Sequence, residues 1–446
     1  MESPIAPLRI GGGSAFFNDR LDAALELVEH GRIDVLMVET LAERTLAQLQ
    51  AGRNGGQPGY FPRLADRLKT LLPACHRQGT RLVSNGGGAA TQDAAAMAHG
   101  VATQAGLRGT VVAAVLGDDV AELVRQADPV LLETGERASR LGTPMLSANA
   151  YLGAAPIAEA CRAGAHVVLT GRVTDSALAL GPLLAHFGWT ALDDLACGIV
   201  AGHLLECGGQ ATGGYFADPG VKDVPGLDRL GFPIAEVAAD RSIRISKPPG
   251  TGGRIDRHVI TEQLLYEVHN PARYITPDVV LDLTEVTLQQ EGPEQIRLTG
   301  MRGHPAPDTL KVLIGVAAGQ HVEVEISYAG LGARGRAELA ADIIQRRLAR
   351  NRLGDVPIRY DLMGVNALAL PGRDVQSLPE VRLRVAARCP DLAAAELLVT
   401  EVESLYVNGP AGGGGVRFSI RAAVRTLTTF LPAADVSTRI DYLEVR

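Results

Sequence analysis

Residues 201–216, AGHLLECGGQATGGYF, mark the point where this 446-residue chain changes character. Upstream of them strand-like and helix-like units alternate; downstream comes a long section built mainly of strands. Within the stretch His203, Glu206 and Cys207 stand at i, i+3 and i+4, so a helix through them sets all three side chains on one face. Two glycine pairs follow, Gly208 with Gly209 and Gly213 with Gly214, and then Tyr215 and Phe216. A helix ending at glycine is ordinary capping, but two pairs so close together predict backbone that approaches a neighbour closely, either a ligand or another strand.

Upstream, Leu8 to Ile10 read as a strand, followed by a glycine-rich loop and an amphipathic segment over 20–30 that stops at Gly31. The pattern recurs. DVLMVET (34–40) precedes a helix from Leu41, RLVSN (81–85) a helix from Thr91, and VVAAVL (111–116) a helix opening at Asp118 and Asp119. PMLSANA (144–150) leads into a helix near 153–162, and HVVLTG (166–171) into one from Thr174. Strands apolar on both faces, alternating with helical segments, predict an α/β domain with a mostly parallel sheet covered by helices, over residues 1–205.

Ligands of such sheets bind beyond the carboxyl ends of the strands, where the loops gather. That rule singles out residues 11–18, Glu39, Asn85 with Gly86, Gly87 and Gly88, and Gly117 with Asp118 and Asp119. It also selects Asn149, Tyr151, Gly171, Arg172 and Asp175. The same residues have plain structural uses: Asp118 and Thr174 read equally as helix N-caps, and Asn85 before three glycines as a turn. Neither GGGSAF (11–16) nor GGGAAT (86–91) makes a GxGxxG, and no GxxxxGK[ST] exists, so neither standard nucleotide site is supported. Glycines ahead of helix N-termini still offer N–H groups to a phosphate, pyrophosphate or carboxylate.

The chain carries 43 Lys+Arg against 50 Asp+Glu, a formal net charge of -7, with 46% hydrophobic residues. That balance supports substantial cores and gives no electrostatic footprint for nucleic acid or an anionic membrane. Cys75, Cys161, Cys197, Cys207 and Cys389 lie far apart with no CxxC, which argues against a disulfide framework or structural zinc site and for a reducing compartment. No basic region precedes an apolar run at the N-terminus and no run of 18 apolar residues occurs, so a cytoplasmic protein is expected.

Past the pivot, SKPPGTGGRID (246–256) sets Lys247 before two stiffening prolines and a glycine cluster that allows a tight loop carrying Thr251. A cation on a rigid arm suits anion capture, and Lys247 is expected to face the strand edge across a cleft; a solvated surface lysine is the plain alternative. A helix is expected to open at Thr261 and stop before Pro271. After the β-rich segments from 278 onward come strand 322–328, helix 333–350, strands 358–363 and 381–388, helix 392–406 and strand 416–428. That order is βαββαβ, a ferredoxin-like α+β unit over 321–446, with 206–320 as a Gly-rich connecting and β-rich region. The loop NGPAGGGG (408–415) is a third glycine cluster.

Taken in order, LRIGGGSAFFNDR, LVSNGGG, GDD, SANAYLGAAPIAEA, LTGRVTDSALALGPL, AGHLLECGGQATGGYFADPG, SKPPGTGGRI, TEQLLYEVHNPARYITPDV, DTLKVLIG and NGPAGGGG resemble the acyclic terpene utilisation (AtuA) family. The resemblance covers nearly the whole chain. It implies a cytosolic protein of branched or isoprenoid acid catabolism, handling CoA thioesters alongside acyl-CoA carboxylases, dehydrogenases and hydratases. The chain ends at Arg446, without the C-terminal extension of longer members, and an activity that depends on that extension is not expected.

Two function classes follow. An enzyme acting on an acyl-CoA by hydratase, lyase or acyl-transfer chemistry accords with the polar strand edge and the lack of a redox or nucleotide fingerprint. A non-catalytic acyl-CoA-binding subunit that stabilises a catabolic partner accords with the lack of GxSxG and HExxH. For the enzyme, Glu206, helped by His203 or Asp175, is the candidate acid/base group: proton transfer beside a thioester carbonyl needs a carboxylate or imidazole at the mouth of a partly dry site, where burial raises a carboxyl's pKa. Glu206 paired with an arginine at a domain junction is the plain alternative. Cys207 has no base at fixed spacing to make it a nucleophile, and the HLLEC triplet lacks the partner motif of a metal site. Expected substrate contacts are Asn85, Gly86, Gly87, Asp118, Asn149, Tyr151, Arg172, Lys247 and Thr251. No cofactor is expected beyond a CoA thioester as substrate. The apolar content and Gly-rich loops accord with a homo-oligomer, and acyl-CoA carboxylase or hydratase partners are implied by the resemblance.

Overall fold

The fold was obtained as a computed structural model that describes residues 5–350, 353–368 and 378–446. The described chain forms two units, one of residues 5–142, 146–315 and 426–446, the other of residues 143–145 and 316–425. No described helix is long and apolar enough to cross a membrane.

The first unit opens with β1 (Leu8–Gly12), α1 (Leu21–His30), β2 (Val35–Val38), α2 (Glu43–Asn54), α3 (Leu64–Gln78), β3 (Arg81–Ser84) and α4 (Thr91–Gln104). It continues with β4 (Val111–Leu116), α5 (Ala121–Ala127), β5 (Met145–Ala150), α6 (Ala155–Arg162), β6 (Val167–Thr170), α7 (Ala177–Phe187) and α8 (Leu192–Glu206). β1, β2, β3, β6 and β4 lie side by side and pair in parallel. All four residues of β2 are buried, and since side chains alternate across a strand, both faces need cover. One face supplies Leu36, Val38, Leu82 and Leu169 to a core with Leu27, Leu68, Leu71 and Ala98 of α1, α3 and α4. The other meets α7 and α8, which are apolar nearly all round, as helices enclosed on every side must be. Each buried Val or Leu contributes roughly 1.5–3 kcal/mol. A Cβ added at Gly12 would lie 2.5 Å from the Leu205 carbonyl oxygen. The bare glycine lets the last turn of α8 close on β1, which brings Glu206 to the carboxyl edge of the sheet.

The sheet as a whole is mixed rather than mostly parallel, because strands from beyond residue 205 extend it. β7 (Ile234–Val237) joins β1 antiparallel and is followed outward by β8 (Ile243–Ser246). After α9 (Arg257–Leu264), β9 (Tyr274–Ile275) and β10 (Val280–Asp282), β11 (Thr287–Gly292) and β12 (Gln295–Thr299) complete that side. The links from β7 to β8 and from β11 to β12 are too short for a crossover helix, so each of those pairs is antiparallel. β9 and β10 form a small sheet with β13 (Arg302–His304). β5, expected in the parallel set, pairs instead with β14 (Thr309–Ala329). α9 begins before the expected Thr261, because the Asp256 carboxylate accepts from the backbone N–H of His258 and Val259 and caps it there. The cap readings of Asp118 and Thr174 fail: α5 and α7 start at Ala121 and Ala177 without side-chain caps.

In the second unit β14, from residue 316 on, is followed by α10 (Ala333–Leu348), β15 (Ile358–Met363), β16 (Glu380–Cys389), α11 (Leu392–Glu403), α12 (Leu405–Asn408) and β17 (Gly414–Pro432). The strand order is β15-β16-β14-β17, so residues 322–328 and 416–428 lie in one sheet. Val322, Val324, Ile326 and Tyr328 alternate into a core with Ala337, Ile344, Leu398 and Val402 of α10 and α11. The last strand, β18 (Arg439–Glu444), belongs to the first unit and pairs antiparallel with β4.

Candidate active site

Four of the five strands of the parallel set are followed closely by charged or polar residues: Glu39 after β2, Asn85 after β3, Asp118 after β4 and Arg172 with Asp175 after β6. Tyr151 follows β5, and Glu206 ends α8. Glu39, Tyr151, Arg172, Asp175 and Glu206 come together around a cavity of about 650 Å³, whose wall also includes Phe16, Cys207, Tyr266 and Glu267. The sheet-edge rule and the pivot helix therefore converge on one site.

At its base Arg172 is fully buried. Its Nη1 donates to the Leu41 carbonyl at 2.6 Å, its Nε and Nη2 to the Val173 carbonyl at 2.9 and 2.7 Å, and its Nη2 also to Asp175 Oδ1. Its guanidinium carbon stands 4.6 Å from the centre of the Tyr151 ring, with Lys311 Nζ 4.8 Å from the same centre. The Tyr151 hydroxyl and Lys311 both turn to Glu43. Every guanidinium nitrogen is thus held by protein, and Arg172 acts by tying strand ends together and by its charge.

Arg172 and the exposed Arg44 face Glu39, Glu43, Asp175, Glu206 and Glu267 on this cavity, so the carboxyls are in excess. Glu39 Oε1 accepts from Leu41 N at 2.6 Å and from Asn85 Nδ2 at 3.0 Å, which leaves Oε2 free of the protein. Burial pushes Glu39 up to about 8, with the Asp175 charge adding to the rise and Arg172 opposing it. Asp175 is raised to about 6, by enclosure first, against the pull of Arg172 and with a push from Glu206. Asp175 keeps 35% of its side chain open, against 1% for Arg172, and so meets the cavity directly.

Glu206 and His203 form a pair on α8: His203 Nδ1 lies 2.9 Å from Glu206 Oε1. Burial by itself would lower the imidazole pKa, but the Glu206 carboxylate outweighs it and the net shift is upward. His203 Nε2 is buried without a partner, and the ring sits 5.6 Å from that of Tyr274. Burial, then the Glu206 charge, drive Cys207 up to about 12, so the thiol stays protonated and is no nucleophile near neutral pH. Among the described residues no group of three or more His, Cys, Asp or Glu is arranged to hold a metal ion.

Other expected contacts go elsewhere. Asn85 accepts from Thr40 N and Oγ1 and donates to Glu39, so it positions the acid and stays out of the cavity wall. Gly86 N donates to Ser84 Oγ and Gly87 N to the Thr170 carbonyl, both internal bonds. Asp118 accepts from Arg172 N at 2.8 Å and Asn149 Nδ2 at 2.9 Å, and a side chain at Gly171 would collide with its carboxylate. Asp118 and Asn149 line a different cavity. Lys247 is the clearest departure: its side chain is 1% exposed, and Nζ meets Glu294 Oε1 and the Thr251 carbonyl, each at 2.8 Å. Thr251 in turn donates to the Pro248 carbonyl. Two prolines and the ion pair of the buried Lys247 with the half-exposed Glu294 lock this loop on itself, and neither Lys247 nor Thr251 lines a cavity described here. Gly209, Gly213 and Gly214 approach Leu230, Phe232 and Val224, and Gly208 approaches Asp19 and Ala15, rather than open space.

The strand-edge rule singled out Glu39, but the candidate acid/base set left it out, although a lone acid closing the wholly buried VLMV strand was a usable signal. Glu267 was also missed; it holds a left-handed backbone, φ 58°, which no sequence pattern announces.

Residues 8–442 match the acyclic terpene utilisation family protein AtuA. Comparisons with curated proteins and with solved structures found no match. A match running from the first strand into the last places the chain in the acyclic terpene utilisation family, AtuA, and with it a role in acyclic terpene utilisation.

Proposed function

We propose that the 650 Å³ cavity catalyses proton transfer on a branched or isoprenoid acyl-CoA thioester, in the direction of hydration or of the reverse elimination. The observation that carries this reading is the set of Glu39, Asp175 and Glu206 on one cavity around the buried guanidinium of Arg172, an enclosure that raises Glu39 to about 8 and so favours its protonated form near neutral pH. Carboxyls whose surroundings push their pKa values apart are the usual means by which one site supplies both an acid and a base. In hydration, Glu39 Oε2 gives its proton to the α-carbon of an α,β-unsaturated thioester as the water oxygen bonds to the β-carbon. Glu206, held by His203, takes the proton that the water releases. Exchange with solvent past the open Asp175 resets both groups. Acyl transfer through Cys207 is disfavoured by its protonated thiol.

The same reading takes the protein as a cytoplasmic homo-oligomer with a ferredoxin-like second unit, needing no cofactor beyond the thioester and working beside acyl-CoA carboxylases or hydratases. Purified protein offered a panel of branched α,β-unsaturated acyl-CoA esters tests it. Turnover that falls in Glu39→Gln supports the enzyme; saturable binding without turnover by the wild type makes the protein a non-catalytic acyl-CoA-binding subunit instead.

A further inference from the structure

The opposite edge of the parallel sheet carries a cavity of its own, of about 150 Å³, where three strands begin. Thr80 precedes β3, Thr110 precedes β4 and Val167 opens β6, and all three line it. We propose that this cavity binds one compact, uncharged molecule about the size of a benzene ring, mostly apolar and carrying a single hydroxyl or carbonyl oxygen. Most of its wall is core: Leu72, Cys75, Leu107 and Val167 are buried and belong to the cluster packed under α1, α3 and α4. Burial pushes the Cys75 thiol up to about 12, so it stays protonated and offers a soft apolar sulfur. A space of this size between apolar side chains accommodates a benzene-sized ring, and removing that ring from water is what favours its entry.

Thr110 makes the place more than a gap in the packing. It is 3% exposed, and its hydroxyl oxygen is buried without a hydrogen-bond partner, whereas the hydroxyl of Thr80 on the same wall donates to the Ile33 carbonyl at 2.8 Å. A buried hydroxyl left unpaired is costly, and a ligand oxygen would pair it as donor or as acceptor. His166 bounds the cavity with a second polar group. Its Nδ1 accepts from Val111 N at 3.1 Å, which places the ring proton on Nε2; burial, then the Arg81 and His76 charges, lower its pKa, so the ring is neutral near pH 7. The enclosed part of the wall thus offers no charge to match an ion, and an ionic ligand would give up its hydration for nothing. His76, Gly79 and His166 are exposed and form the rim through which a molecule enters. The candidate active site gathers past the other ends of these strands, so this site stands whether or not a thioester is turned over there.

Calorimetric titration of the full chain with phenol, toluene and benzoate tests the proposal, with methyl NMR of the wild type to locate the probes. Phenol and toluene are expected to bind saturably at millimolar concentration and benzoate not to bind. Both should shift the methyl signals of Leu72, Leu107 and Val167 and leave in place those of Leu41, which lines the 650 Å³ cavity. Thr110→Val keeps the shape and removes the hydroxyl, so it should weaken phenol about fivefold and leave toluene bound at least as tightly. Failure of both phenol and toluene to bind, methyl shifts that fall elsewhere, or a Thr110→Val variant that treats phenol and toluene alike overturns it; the methyl map of the wild type decides even if that variant does not fold.

Discussion

The ammonium of Lys247 and the guanidinium of Arg172 are each 1% exposed, yet their surroundings are built differently. Lys247 meets one carboxylate, Glu294, and one carbonyl, and its charge is matched. Arg172 meets Asp175 directly and lies on the same cavity as Glu39 and Glu206, so negative charge exceeds positive. A matched pair whose cation is enclosed has nothing to exchange with a ligand and serves as a clasp on its loop. In the unmatched set, burial and the Asp175 charge push Glu39 up to about 8, which favours a retained proton, and a retained proton can be donated. Buried charge alone therefore does not mark a site; its imbalance beside a cavity does.

The comparison breaks most visibly at Arg172. Arg172→Met leaves Asp175 and Glu39 without their counter-charge and frees three backbone carbonyl contacts, and should cost about 3–5 kcal/mol in chemical denaturation. A loss under about 1 kcal/mol would mean that the carboxyls are not held by this cation. Glu39→Gln and Glu206→Gln should each lower turnover of the true substrate by at least about 100-fold while the fold survives, as circular dichroism would report. Full turnover in either removes that residue from the chemistry.

Lys247→Ala sharpens the other side. Glu294 is half exposed and can rehydrate, so the variant should lose only about 1–2 kcal/mol of stability and keep its affinity for acyl-CoA. Weakened acyl-CoA binding at unchanged stability would make the lysine a ligand contact after all. A further test is the pH slope of stability. Glu39 is raised from 4.5 to about 8 on folding, so between those values the folded chain keeps a proton that the unfolded chain has released. Stability must then fall as pH rises through that window, by up to about 1.4 kcal/mol per pH unit from this group. The wild-type curve should lose ground to that of Glu39→Gln over that range; parallel curves would place the Glu39 pKa near its ordinary value.

Much of this was legible in the sequence, because burial on both faces leaves a clear mark: VLMV and VVAAVL are strands, and the spacing of His203, Glu206 and Cys207 is that of α8. The strand-end rule located Asp175, Arg172 and Tyr151 from position alone. Long-range pairing left no such mark. Nothing in residues 234–246 or 439–444 states that they flank β1 and β4, since antiparallel edge strands are chosen by tertiary packing. Lys247 was misjudged for the same reason: its partner, Glu294, is 47 residues away, and local sequence offers only the prolines and glycines of the loop.

The claim that matters most is that Glu39 carries a proton at neutral pH, and infrared difference spectroscopy of the unliganded protein tests it without a substrate. At pH 7 the wild type should show the carbonyl band of a protonated carboxyl that is absent from Glu39→Gln, and that band should fade as pH passes about 8. Identical spectra of the two proteins from pH 6 to 9 would show Glu39 ionised throughout and would contradict the account.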